Sequence, residues 1–383
     1  MKTIAFVISS LTGGGAERVA INLCEFFNEK YLDEVTCDLI VLNNTGDYIY
    51  HGPKHIVNNN YSDKNVVKKI FYHIIGYRWK LLKIKKKYNY DQVISFATLA
   101  NKLNIQTSYN EDTIVSVRNY LSLNLNEKQK KHVRKLYQKA DKIIAVSQAC
   151  KEDLVQEFYI DANKIQVIYN PYQIDKIQKA QEASIGSDSS YYRKNKTIIA
   201  VGRISRQKAF WRIIKAIASL KEDDPEIRLL ILGKELNGQE MTKKLQFLID
   251  KYKLHEQVHL LGFKSNPYAY ISRANIYVLS SLYEGFPNGM TEAMILGKPI
   301  VSVNCLSGPS EILNDGEYGI IIPQYDQDEF TEDITPGDIE LGQSIQKLLK
   351  EPDLYSHYEK QALRRGRDFL INTIAIQWLN LEV

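Results

Sequence analysis

Short runs rich in Ile, Val and Leu, each of strand length and separated by longer segments with helical spacing, limit most what this chain can fold into. They occur at Thr3 to Ser10, Val35 to Leu42, Gln92 to Phe96, Thr113 to Arg118, Lys142 to Ser147 and Gln166 to Tyr169. The series then restarts with Thr197 to Gly202, Arg228 to Gly233, Val258 to Gly262, Ile276 to Ser280, Pro299 to Val303 and Gly319 to Ile322. A continuous apolar run this short suits a strand covered on both faces, as in a parallel sheet with helical crossovers. Strand, helix, strand, repeated twice over, predicts an α/β chain of two Rossmann-like, doubly wound domains. The 383-residue length also exceeds what one hydrophobic core usually supports. Tyr172 to Lys196 is polar, contains Gly186-Ser187-Asp188-Ser189-Ser190 and has no strand-like run, so the boundary is placed there. The expected division is a first domain over 1–180, a second over 181–353, and a helix-patterned tail over 354–383 that can pack on either.

Hydrophobic residues at 44% and charged residues at 25% are the balance of a globular protein. Cys24, Cys37, Cys150 and Cys305 are scattered with no CxxC pair, which suggests neither a zinc site nor a disulfide framework and fits a reducing cytoplasm. The apolar run Ile4 to Ile8 is followed at once by Gly13-Gly14-Gly15 and the charged Glu17-Arg18, unlike a signal peptide. No apolar run approaches the roughly 18–20 residues of a membrane-spanning helix. The expectation is a cytoplasmic protein that can lie on the inner face of the membrane.

Ser281-Leu282-Tyr283-Glu284-Gly285-Phe286-Pro287, followed by Glu292-Ala293-Met294 and Gly297-Lys298-Pro299, lies between two expected strands and reads as a loop opening a helix. Gly285 allows close backbone approach, and free N–H groups at a helix start suit a phosphate or a sugar hydroxyl. Glu284 falls just before the helix and Glu292 about two turns into it, so both can reach one ligand. Taken alone, they read equally well as a helix cap and a solvated helix residue.

This segment resembles the EX7E motif of retaining GT-B glycosyltransferases, family 4 in particular, of the type that assembles bacterial polysaccharides. Three further segments match that family in the same order, over nearly the whole chain. The resemblance implies a GT-B architecture, two Rossmann-like domains facing an inter-domain cleft. It assigns Glu284 to the donor sugar and Glu292 to the nucleotide ribose, with Gly285 and Phe286 beside them. Gly202-Arg203 and Gln207-Lys208 look like the diphosphate clamp, with Arg203 and Lys208 as its cations. Gly13-Gly14-Gly15-Ala16-Glu17-Arg18 resembles the glycine-rich first loop, placing Gly15 by the donor and Gly14 and Glu17 on the acceptor side. Ser307-Gly308-Pro309-Ser310-Glu311-Ile312 resembles a version found in transferases that often use UDP-sugars.

The chain departs from the pattern twice. Ala209, followed by Phe210 and Trp211, stands where a glycine usually follows the clamp lysine, and a changed local backbone path is expected. Ser116-Val117-Arg118-Asn119 stands where many relatives place a histidine or aspartate, and Arg118 is assigned to the cleft.

The implied reaction is a retaining transfer of a hexose or N-acetylhexosamine from a nucleotide diphosphate sugar, UDP favoured, to a saccharide or lipid-linked saccharide in O-antigen or capsule assembly. Arg203, Lys208 and Glu284 are its expected catalytic residues. The nucleotide sugar is substrate, and no cofactor and no metal are expected. Asp326-x-Asp328 has metal-binding spacing but reads as a solvated loop, and Asp223-Asp224 beside Pro225 as a turn.

Lys68 to Lys87 holds eight Lys or Arg and no acid. Ile70, Phe71, Ile74, Ile75, Leu81 and Leu82 recur on one helical stripe, and Lys69, His73, Lys80, Lys83 and Lys87 on another. The segment is either a membrane-surface helix near anionic lipid or a domain helix with a solvated lysine face. Lys128 to Lys139 adds a second basic run. Nothing marks a nucleic-acid module, and none is expected as partner. A non-catalytic basic membrane- or nucleic-acid-binding protein, or a GT-B-fold epimerase or phosphorylase, are the competing readings.

Overall fold

The computed structural model describes residues 1–11, 14–46, 50–58, 75–193, 196–235, 238–324 and 329–382. The chain divides into two compact units, one of Met1–Tyr172 with Ile371–Val383, the other of Gln173–Leu370.

The first unit is built on a seven-stranded parallel sheet: β1 (Lys2–Ile8), β2 (Val35–Asn43), β3 (Lys54–Asn58), β4 (Gln92–Phe96), β5 (Asp112–Val117), β6 (Lys142–Ala145) and β7 (Ile165–Val167), in the order β3-β2-β1-β4-β5-β6-β7. The six expected runs are all strands. The seventh, β3, is a short edge strand with only Val57 and Asn58 buried, too polar to stand out by apolar periodicity. From β1 the chain winds through β2 and β3 to one side, then returns to pair β4 on the other flank of β1, with Ile4 opposite both Cys37 and Gln92. Phe6, Phe96 and Trp378 form the aromatic centre on one face, the Trp378 ring stacked 5.5 Å from Phe96.

The second unit holds a six-stranded parallel sheet: β8 (Thr197–Val201), β9 (Arg228–Leu232), β10 (Val258–Gly262), β11 (Ile276–Leu279), β12 (Ile300–Val303) and β13 (Ile320–Ile322), in the order β10-β9-β8-β11-β12-β13. The winding is the same, with β8 as the first central strand and β11 on its other flank. Trp211 is the largest side chain buried against this sheet, on the helix Phe210–Leu220.

Two expectations about the organisation change. The boundary falls after Tyr172 rather than at 180, because the helix Ile174–Gln181 packs on Tyr268–Ile271 of the second unit. The tail over 354–383 is not one body. The helix Pro352–Gly366 stays with the second unit, so close that a Cβ on Gly366 would lie 3.0 Å from the backbone of Ile295. The last helix, Ile371–Leu379, joins the first unit, burying Ile371, Ile374, Ala375 and Trp378 at helical spacing. Lys2 Nζ donates to Leu379 O at 3.0 Å and Gln92 Nε2 to Leu381 O at 3.1 Å, which ties this end of the chain to the starts of the central strands β1 and β4.

In the basic segment, 68–74 lies outside the described residues. The helix Tyr77–Tyr88 buries Tyr77, Leu81 and Lys85 one turn apart and exposes Trp79, Lys83, Lys86, Lys87 and Tyr88. Lys85 is inside because its ammonium meets Glu111 at 2.5 Å and also donates to Asn104 Oδ1 and O. Asp224, beside Pro225, pairs with Lys196 at 2.7 Å. Asp326 and Asp328 lie outside the described residues. Among the described residues no helix is long and apolar enough to cross a membrane.

Replacing Trp378 with Ala removes the ring that fills the space between the last helix and β4. It is expected to destabilise the first unit by about 3–5 kcal/mol, readable as an early transition in thermal unfolding that leaves the second unit's transition in place.

Candidate active site

In a doubly wound sheet the connections leave the central pair of strands in opposite directions, so a crevice opens at their carboxyl ends. In the second unit that pair is β8 and β11. The loop after β8 carries Gly202, Arg203 and Lys208, and the loop after β11 carries Ser280 to Glu284, so segments some 76 residues apart in sequence are neighbours.

Four hydrogen bonds stitch the loops together. Leu282 N donates to Gln207 O at 2.8 Å, and Gln207 Nε2 donates to Tyr283 O at 2.9 Å. Ser280 Oγ donates to Lys208 O at 2.9 Å, and Lys208 Nζ reaches Glu284 Oε1 at 2.6 Å. Ser281 Oγ donates to the same carboxylate oxygen at 2.5 Å. The Ser307 hydroxyl donates to the backbone carbonyl of Glu284. Gly308, at φ +95, lies where a Cβ would sit 2.7 Å from Pro287 Cδ. The Ser307-Gly308-Pro309 segment therefore braces the Glu284 loop from behind, a role its spacing did not disclose.

Glu284 lies four residues ahead of the helix Asn288–Ile295 and is not its cap, since Pro287 holds that position. Glu292 is buried in the helix's second turn, with Tyr268 Oη donating to it at 3.4 Å. Burial, and then the nearby Glu284 and Glu292 carboxylates, push the Tyr277 phenol far up, so it is a neutral donor, to Val201 O at 3.4 Å. Gly285 and Phe286 are buried, with the Phe286 ring edge-on to Phe369 at 5.6 Å. Its ring packs the loop down.

Arg203, by contrast, is exposed, and no described residue pairs with it. Strand ends crowd beneath it: a Cβ on Gly233 would meet Gly202 O at 1.7 Å, and one on Gly202 would meet Lys208 Cε at 2.8 Å. Gly233 admits no side chain, whereas one at Gly202 would have to push the end of the Lys208 side chain aside. Ala209 takes the left-handed conformation (φ 46, ψ 41) that glycine adopts freely, and its side chain and those of Phe210 and Trp211 enter the core.

Sequence reasoning passed over Lys234 and Phe263. Phe263 follows β10 and is 65% exposed, with Lys234 Nζ 5.3 Å above its ring. A phenylalanine directly after the glycine that ends an expected strand was its only signal.

The first unit has its own crevice, between β1 and β4. Gly13 lies outside the described residues. Gly14 is the N-cap of the helix Gly15–Lys30, and the Glu17 side chain folds back so closely that a Cβ on Gly14 would lie 2.2 Å from Oε2. Burial holds the Glu17 carboxyl above its ordinary range. Ala97, just after β4, sits at φ 73 and ψ 160, a conformation that costs about 1–3 kcal/mol for a residue with a Cβ. Arg118 follows β5, its Nη1 donating to Ser116 Oγ at 3.2 Å. Among the described residues no cluster of three His, Cys, Asp or Glu could hold a metal.

A carboxyl whose folded pKa is raised favours the folded state below its unfolded pKa and loses that advantage as pH climbs through the raised value. Glu17→Gln is therefore expected to raise the melting temperature at pH 8 and to leave it unchanged near pH 4, measured as thermal unfolding against pH.

Two family models match the chain, Glycosyltransferase Family 4 over residues 13–176 and Glycosyl transferases group 1 over residues 187–365. The chain is 29% identical over 381 residues, 96% of each protein, to the N-acetylgalactosamine-N,N'-diacetylbacillosaminyl-diphospho-undecaprenol 4-alpha-N-acetylgalactosaminyltransferase of Campylobacter jejuni. It is 29% identical over 339 residues to a glycosyltransferase of Methanocaldococcus jannaschii, covering 80% of this chain and 82% of that one. In fold it matches Anabaena HepE, solved in complex with UDP and glucose, at a TM-score of 0.79 and 20% identity over 99% of this chain and 98% of that one. With two family models falling on its two halves and motifs set at the carboxyl ends of both sheets, the chain belongs to the group 1 glycosyltransferases of GT-B fold.

Proposed function

We propose that this glycosyltransferase moves a hexose or N-acetylhexosamine, with retention, from a UDP-sugar to a saccharide or lipid-linked saccharide acceptor in surface-polysaccharide assembly. The observation that carries this is the Lys208–Glu284 ion pair at the β8–β11 crevice, with exposed Arg203 on the same loop as Lys208 and Glu292 buried in the helix that follows Glu284. The Campylobacter relative, named for a diphospho-undecaprenol acceptor, supports the lipid-linked choice.

The donor diphosphate meets Arg203 and displaces or shares Lys208, whose ammonium is held ready by Glu284. Glu292 receives the ribose hydroxyls, and the base lies on the exposed Phe263 ring with Lys234 over it. The bond from the sugar's anomeric carbon to the diphosphate oxygen breaks as the acceptor oxygen bonds that carbon on the same face. The acceptor's proton passes to the leaving phosphate oxygen. Negative charge grows on the diphosphate in the transition state, so two fixed cations lower the barrier more than they tighten the ground state. The reaction needs no cofactor, and on this reading no metal, so added chelator leaves the rate unchanged.

The protein works at the inner face of the cytoplasmic membrane. The helix Tyr77–Tyr88 supports this: Trp79 is 61% exposed with Lys83 Nζ 5.2 Å over its ring, and Lys86 lies 5.0 Å over exposed Tyr109. Tryptophan and lysine side by side on one helix face suit the headgroup layer of an anionic leaflet. Binding to vesicles containing phosphatidylglycerol is expected to fall at least tenfold when Trp79, Lys83 and Lys86 are all replaced by Ala, and to be weak for both proteins on neutral vesicles. Equal binding by both proteins would remove the membrane from this account.

The decisive experiment incubates the protein with a panel of UDP- and GDP-sugars in chelator, following thermal shift and slow donor hydrolysis. One nucleotide is expected to stabilise the protein, an effect lost in Glu292→Ala. Lys208→Ala is expected to lower turnover roughly 100- to 1,000-fold, the scale of losing one charge-stabilising contact. No response to any nucleotide sugar would overturn the proposal, while acceptor-free formation of an isomerised sugar would turn it toward an epimerase.

A further inference from the structure

Arg118 is a buried cation of the first unit whose cost the fold leaves open. It follows β5 at the carboxyl edge of the sheet, beside the β1–β4 crevice. One nitrogen, Nη1, donates to Ser116 Oγ at 3.2 Å, and Ser116 in turn offers only a hydroxyl. The other two, Nε and Nη2, are buried and have no hydrogen-bond partner. Among the described residues no carboxylate lies within ion-pair distance, and the ionisable groups that act on it are the Cys150 thiol and the Tyr172 phenol. Desolvation lowers the guanidinium to about 10, so it stays charged at neutral pH. A charge withdrawn from water with two donors unmet is among the costlier things a fold can keep.

The other buried cations of this chain show how such a cost is ordinarily met. Lys85 has Glu111 and two acceptors from Asn104, and Lys215 has Asp338 at 2.9 Å with Thr331 Oγ1 and the Asp333 carbonyl. Arg118 has none of this, although the residue keeps part of its surface open to solvent. Nε and Nη2 lie on the same edge of the planar guanidinium, the edge that grips an oxyanion through two parallel hydrogen bonds.

We propose that the Nε–Nη2 edge of Arg118 binds an oxyanion of the acceptor, either a phosphate of a lipid diphosphate or the carboxylate of an acidic sugar, so that this enzyme selects a negatively charged acceptor. The inference rests on the glycosyltransferase reading and adds the chemical class of acceptor. Arg118 is a specificity residue on this account. The acceptor's anion supplies the counter-charge that the fold withholds, so an uncharged saccharide gains nothing there.

The test is a thermal-shift titration of the full chain with inorganic pyrophosphate and, separately, with glucuronate, both with UDP saturating so that the donor's own diphosphate site is filled. The wild type is expected to show a saturable shift with one of them: pyrophosphate indicates a lipid diphosphate, glucuronate an acidic sugar. In Arg118→Met the apparent Kd for that anion is expected to weaken at least tenfold, the UDP shift to persist, and the melting temperature to equal or exceed that of the wild type, because an unmet buried charge has been removed. Arg118→Lys keeps the charge but not the fork, and is expected to weaken the same anion at least tenfold as well. An anion shift unchanged in both variants, or no shift from either anion in a wild type that responds to UDP, would overturn the proposal. A wild type that ignores UDP would instead remove the glycosyltransferase reading beneath it.

Discussion

The side-by-side pairing of β8 and β11 is the constraint from which the second unit's site follows. Ile198 lies opposite Ile276 and Ile199 opposite Tyr277, so the loops leaving these strands must start within a few ångströms of one another. Because the chain reaches β11 only after winding out through β9 and β10, those loops then turn to opposite sides. The gap between them is closed by Gln207 and Ser280 and by the ion pair of Lys208 with Glu284. Glycine at 233 and 308 is the steric condition for this arrangement, since a Cβ there would strike the Gly202 backbone or the Pro287 ring.

The Lys208–Glu284 pair is mostly withdrawn from solvent, and its meaning differs from that of Lys85–Glu111 or Lys215–Asp338. Those two are closed on every side by further acceptors and hold one helix to its neighbours. Lys208 has a single carboxylate among the described residues, shared with Ser281, and lies on the same loop as Arg203, which no described residue pairs. A pair with spare capacity can exchange partners with an arriving anion, whereas a saturated one cannot. The same reasoning separates Arg118 from the structural cations of the first unit.

Much of this was legible in the sequence. Apolar runs marked twelve of the strands because buried parallel strands tolerate little else, and the motif order exposed the family. What escaped was the part with weak or shared patterns. β3 lacks an apolar run because it lies at an edge. Lys85 looked like one more surface lysine, and its buried place depends on Glu111, a residue 26 positions away. Ala209 looked like a disruption, yet its backbone reaches the glycine conformation at a modest cost. The tail was correctly read as helical but not as two helices with different allegiances, since an apolar stripe says that a face is covered and not by what.

The sequence alone determined two α/β halves, because strand length and helical spacing are local properties carried by contiguous residues, and the resemblance of its motifs pointed to the glycosyltransferases. Only the tertiary structure decided which charges are met and which are left wanting. Strand pairing brings Lys208 to Glu284 and Lys85 to Glu111, and among the described residues brings no acid to Arg118. Charge compensation is a matter of distance in space, and distance in space is set by the order in which the sheet is wound.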